Sequence, residues 1–130
     1  MIKVYHCGNS LIEKFSLSKR RWNKTTHQAS GLGLFFDFRN TDYLKVFGGY
    51  LYEITLKSDL KIKNWSITDF RNVCDKNDGD WNSFAMLGKE MSTLYDVIYI
   101  QELSGDIHQG IILSDSAVSE FKLLETVLNN

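Results

Sequence analysis

Apolar and polar residues alternate along much of this chain with the period of two that a half-buried strand imposes. Tyr50, Tyr52, Ile54 and Leu56 fall on one side of such a strand, and Leu51, Glu53, Thr55 and Lys57 on the other. Residues 2–6, 34–38, 96–100 and 110–113 carry strand patterns as well. Residues 116–124 fit a last strand or a short helix, with Val118, Phe121 and Leu124 as its apolar line. Helical pattern is confined to the connections. Thr41-Asp42 can cap a short helix through Phe47, ended by Gly48-Gly49. Ser66-Ile67-Thr68-Asp69 reads as a capping box, Asp standing in the usual Glu/Gln place, for a helix to about Lys76. Residues 81–92 form a third helix candidate, with Phe84, Leu87 and Met91 on one face. Turns are expected at 77–80 and 103–106, where glycine follows polar residues. The expectation is one α+β domain over residues 1–130, a mostly antiparallel sheet with small flanking helices.

Composition narrows the class. The chain has 130 residues, 43% hydrophobic and 24% charged, which suits one globular domain. No apolar run approaches the roughly 20 residues of a membrane span, and residues 1–6 lack a signal-peptide core. Cys7 and Cys74 are too few for a disulfide framework, and no Cys/His cluster has metal-ligand spacing. A cytoplasmic protein without metal or membrane is expected. The net charge of -1 hides an asymmetry: six Lys/Arg against one Glu in residues 1–30, two Lys against seven Asp/Glu in residues 81–130. A solvated charge run is the favoured meaning, although Lys19-Arg20-Arg21 and Lys24 sit close to the first glycine motif, where they can meet a phosphate. The overall charge argues against a nucleic-acid binder built on a basic surface.

Four segments carry candidate chemistry: 4–8, with His6 before Gly8; 31–36, with Gly31, Gly33 and Phe35; 47–53; and 109–113, opened by Gln109. The His6 imidazole, ending a strand before Gly8, can donate to a ribose hydroxyl. Glycines permit close backbone approach, and Phe35 with Phe47 can hold a flat ring by stacking. Gln109 sets a polar side chain at the start of a buried strand. Each feature also has a plain structural meaning, as a locally bonded histidine, a β-bulge or core aromatics.

In this order the segments resemble the ADP-ribosyltransferase fold, in the branch with a His–Tyr–Glu-type triad that includes diphtheria toxin and the poly(ADP-ribose) polymerases. Tyr5-His6-Cys7-Gly8 is similar to the His-Gly motif, and residues 13–21 to the segment that follows it in small bacterial members. Gly31-Leu32-Gly33-Leu34-Phe35-Phe36 is similar to Gly-x-Gly-x-Tyr-Phe, residues 43–53 to the helix and strand after it, and residues 109–118 to the last motif. Only residues 58–94 fall outside the likeness. It implies a split β-sheet core and NAD as co-substrate. His6 would bind the nicotinamide-side ribose, Phe35 and Phe47 would sandwich the nicotinamide, and Arg20 or Arg21 would reach the pyrophosphate. Gly8, Gly33 and Tyr43 would complete the NAD-binding set, and Gln109 would stand in the place of the catalytic glutamate.

The sequence departs from that pattern at Cys7, Phe35 and Gln109. The last matters most, because an amide bonds a ribose but brings no negative charge to an oxocarbenium-like transition state; Asp106 or Glu102 can replace it if their loop folds back. The resemblance implies an NAD-dependent mono-ADP-ribosyltransferase acting on a protein or, less favoured, a nucleic acid, with loops such as 58–82 reading the acceptor. By analogy it is similar to phage or mobile-element effectors, including anti-CRISPR and anti-defence transferases. The alternatives are a non-catalytic binder or inhibitor of the same fold, with exposed Trp65 and Trp81 as anchors, and an NAD glycohydrolase.

Overall fold

The computed structural model describes residues 1–17 and 28–127. Seven strands form one sheet: β1 (Ile2–Gly8), β2 (Leu34–Asp37), β3 (Tyr50–Leu56), β4 (Ile62–Ser66), β5 (Val97–Gln101), β6 (Ile107–Ile112) and β7 (Val118–Thr126). Their spatial order is β4-β5-β6-β2-β1-β3-β7. All neighbours run antiparallel except β4 and β5. That parallel pair needs a crossover, supplied by helices α1 (Ile67–Lys76) and α2 (Trp81–Met91). The result is an α+β protein with few helices. The ambiguous stretch 116–124 resolves as strand from Val118 on, after a 3-10 turn at Asp115–Ala117.

The seven strands form one continuous sheet rather than a split one, with a weak joint at its middle. β1 and β3 pair along their whole length, from Ile2↔Leu56 to Gly8↔Tyr50. β1 and β2 share a single bridge, Tyr5↔Asp37. The sheet is continuous there, but by one rung.

Strand alternation builds two cores. On one face Val4, Leu34, Phe36, Tyr52, Ile54, Val97 and Ile112 pack together, spanning the joint. On the other, Trp65, Ile98, Ile100, Ile111 and Leu113 lie under α1 and α2 with Phe35, Phe70 and Leu87. Trp65 and Trp81 are both buried, so they are core rather than exposed anchors. Segment 58–82 holds β4 and α1 as well as loops. β4 escaped the sequence reading because, as an edge strand, it buries only Trp65 and shows no alternation.

The helix caps follow their chemistry in part. Ser66 Oγ accepts from Asp69 N at 3.0 Å, opening α1, and Asp80 accepts from Ser83 N at 3.1 Å, opening α2. Thr41 makes no side-chain cap, and Asp42–Phe47 is a 3-10 helix. Its tighter winding brings Leu44 inward onto Cys7 and Leu51. Gly79 and Gly105 take positive φ in the two expected turns, where any other residue is strained.

Gly88 lets α2 rest on the main chain of Leu32: a Cβ there would collide with the Leu32 carbonyl. Gly88→Ala is therefore expected to lower unfolding stability by about 1–3 kcal/mol, read from the urea midpoint. Gly49→Ala, whose new Cβ would have its nearest neighbour at an ordinary 3.6 Å, should stay within about 0.5 kcal/mol of the parent.

Candidate functional site

The joint between β1 and β2 gathers most of the residues that the sequence singles out. Beyond the bridge Tyr5↔Asp37 the main chains of β1 and β2 no longer pair. The His6 ring fills the opening, its Nδ1 lying 2.6 Å from the carbonyl oxygen of Phe35. A carbonyl only accepts, so Nδ1 carries the proton and donates. In the neutral ring Nε2 is then an acceptor. Toward a hydroxyl such a nitrogen accepts rather than donates, the reverse of the donating imidazole that the sequence suggests. The ring also stacks beside Tyr52 at a centroid distance of 6.3 Å. The Tyr52 hydroxyl accepts from Ile12 N at 2.6 Å and lies 3.3 Å from Ser10 O, tying down the loop that leaves β1.

Register defines the other face. Phe35 pairs with Ile111, and Asp37 with Gln109; Gln109 also pairs with Ile100. Tyr5 pairs with Asp37 on one side and Glu53 on the other. Directly paired residues share a face, so Gln109, Asp37, Tyr5 and Glu53 form one polar row across four strands. Phe35 lies on that face too, two residues along β2 from Asp37. So does the 3-10 helix Asp42–Phe47, which packs through Leu44 onto Cys7 and Leu51 beside Tyr5. Phe35, Gln109 and the helix bearing Phe47 thus lie on one face of the sheet, whereas His6, the ladder partner of Tyr52, belongs to the other and reaches the Phe35 main chain through the joint. Gln109 is the third residue of β6 rather than its first.

The aromatic pair is arranged differently from a sandwich. Phe35 is half-buried and tilted against Phe70 of α1 at 5.9 Å. Phe47, 51% exposed, meets Tyr43, 64% exposed, edge-on at 5.4 Å. Among the described residues no ring contact joins Phe35 to Phe47. Phe70 is the wall that sequence reading missed, since its place in α1 looks like ordinary amphipathic spacing.

The glycines of the motifs are explained by packing. A Cβ on Gly33 would collide with the Ile112 carbonyl of β6, and one on Gly31 would press on α2 at 3.0–3.1 Å. Gly48 abuts the main chain of Gly8 and Asn9, and Gly8 lies beneath the His6 ring, with Nε2 3.0 Å from where a Cβ would stand. Gly8 and Gly33 therefore permit close approach between strands and loops, which accounts for both without a ligand. Arg20 and Arg21 lie outside the described residues.

Sequence reading also missed Asp37 and Arg39. Asp37 is 4% exposed, and Arg39 forks its carboxylate through Nε at 3.1 Å and a terminal guanidinium nitrogen at 3.2 Å. Arg39 N–H donates to the same carboxylate at 2.7 Å. The hydrogen bond to Asp37 raises the Arg39 pKa further above its ordinary value, and Glu102 adds to this. The i, i+2 spacing Asp37-Phe38-Arg39 at a strand end was the available signal. Asp106, by contrast, is exposed in the β5–β6 turn beside Ser104, its Oδ2 3.3 Å from Ser104 Oγ, and Glu102 stands near Arg39.

Among the described residues no His/Cys/Asp/Glu group can hold a metal, and no helix is long and apolar enough to cross a membrane. No protein-family model matches the chain, and neither does any curated protein or solved structure.

Burial raises the Cys7 thiol pKa, as it does that of Cys74. A raised pKa means less thiolate at a given pH, so neither thiol is an activated nucleophile. Iodoacetamide at pH 8 should modify Cys7 at least about tenfold more slowly in the native protein than in urea, followed by mass spectrometry.

Proposed function

We propose that this chain is an NAD-dependent mono-ADP-ribosyltransferase that modifies a protein. One observation carries the reading. The His6 imidazole bonds the Phe35 main chain at 2.6 Å in the single-rung joint, with Gln109 on the neighbouring strand and on the Phe35 face. The resemblance assigns His6, Phe35 and Gln109 to the ribose, the nicotinamide and the transferred sugar, and the bond that ties His6 to the Phe35 main chain supports that reading. The resemblance implies a split sheet, and the single bridge between β1 and β2 is compatible with that reading.

In the proposed reaction the bond between the ribose anomeric carbon and the nicotinamide nitrogen breaks, and nicotinamide leaves with the bonding pair. A nucleophile on the acceptor protein then bonds the anomeric carbon and releases its proton. His6 Nε2 accepts from a ribose hydroxyl, its ring fixed by the bond to Phe35. The Phe35 ring packs against nicotinamide, with Phe70 backing it. The Gln109 amide bonds a ribose hydroxyl. Cytoplasmic action and an anti-defence role in a phage or mobile element complete the proposal by analogy alone.

Labelled NAD incubated with the purified protein and a cell lysate tests this. Label on a protein band is the expected result. Free nicotinamide without labelled macromolecule would assign hydrolysis instead. Neither product, together with no NAD binding by calorimetry, would leave the binder reading. In the active protein Phe35→Leu should raise KM for NAD about tenfold through lost aromatic contact, with little change in kcat. His6→Ala should lower kcat/KM by about tenfold or more, as a well-held hydrogen bond is lost.

A further inference from the structure

Gln109 leaves the proposed site without the negative charge that cleavage of a glycosidic bond favours. The register places a carboxylate directly across from it. Asp37 is the ladder partner of Gln109 and shares its face, and such pairs hold their Cβ atoms about 5 Å apart. Among the described residues it is the one buried charged side chain. Burial of a carboxylate is costly unless it is bonded, and Arg39 fixes both oxygens of this one.

The pair does not cancel its surroundings. Glu102 acts on Arg39 only through its charge; the ion pair itself is made with Asp37. Arg39 is half-exposed on its side chain, whereas that of Asp37 is 5% exposed. The positive partner therefore stands toward solvent, where water screens it, and the negative one stands in the sheet, where screening is weak.

We propose that Asp37 supplies the negative charge that Gln109 lacks, an inference that rests on the transferase reading above. The two tasks usually joined in one glutamate are divided between ladder partners: Gln109 bonds the ribose, and Asp37 lowers the energy of the cationic sugar as nicotinamide departs. Asp37 acts through space and forms no bond to the sugar, so it is a charge-supplying residue rather than a nucleophile.

A double-mutant cycle on the full chain tests this, with kcat and KM for NAD read by nicotinamide release. Asp37→Asn should lower kcat by about 10²-fold, the usual loss for one well-placed electrostatic contact, and change KM by less than about twofold. Gln109→Glu alone should change kcat by less than about threefold, because two facing carboxylates force one to take up a proton. In the Asp37→Asn background the same Gln109→Glu should restore most of the lost rate, a coupling that independent sites do not show. Unchanged kcat in Asp37→Asn overturns the proposal, and so does a loss that Gln109→Glu leaves unrelieved, which marks a structural role. A parent protein that neither binds nor cleaves NAD overturns the transferase reading and this inference together; an active parent with an indifferent Asp37→Asn overturns the inference alone.

Glu102→Gln keeps the test open should Asp37→Asn not fold. Glu102 uses its main chain to close the β5–β6 turn, so the amide leaves that turn intact while removing one charge from the cluster. A several-fold lower kcat is expected from the weakened field, and an unchanged kcat overturns the proposal.

Discussion

The rest of the site depends on how the sheet is joined at its middle. β1 and β2 meet through one main-chain bridge, and the carbonyl that would otherwise lose its partner there, that of Phe35, is taken by His6. Main-chain polar groups away from water must be bonded, so the ring does the work of a missing rung. The two parts of the sheet are held in register chiefly by the apolar cluster on one face, where Val4, Leu34 and Tyr52 pack across the joint. That leaves the opposite face free to carry polar groups. Gln109, Asp37, Tyr5 and Glu53 lie there because the opposite side already supplies the cohesion.

Charge on that face comes in pairs. Lys3 answers Glu53 at 3.4 Å, and Arg39 answers Asp37. Exposed pairs such as the first contribute little to stability. The second differs in kind, because its carboxylate is inside and its guanidinium is not. An apolar pair would hold the sheet as well. The buried carboxylate sits beside an uncharged amide, that of its ladder partner Gln109.

Much of the architecture was legible in the sequence because the strongest signals were local. Alternation in 50–57 gave β3, and Ser66 with Asp69 marked the start of α1 to the residue. β4 was not legible, because an edge strand in a parallel pair needs no alternation, and its partner β5 lies thirty-odd residues away. The site was half-legible. His6 and Phe35 stood out as residue types beside glycines, yet the bond between them depends on a carbonyl, which no residue type announces. Asp37 was hidden because its importance comes from being opposite Gln109, a matter of register between distant segments. The glycines misled in the other direction. Gly31, Gly33 and Gly48 look like ligand loops, but they make room for α2, for β6 and for the β1 turn.

The outer strands bear on how copies of this chain behave toward one another. A sheet edge offers unpaired main-chain groups to any passing strand. β4 is only five residues long and exposes Ile62, Asn64 and Ser66. β7 is longer, but it carries Glu120, Lys122 and Glu125 and meets β3 with two register shifts, which bend its free edge away from a flat template. The shortness of β4 and the charge and irregularity of β7 both oppose edge-to-edge growth.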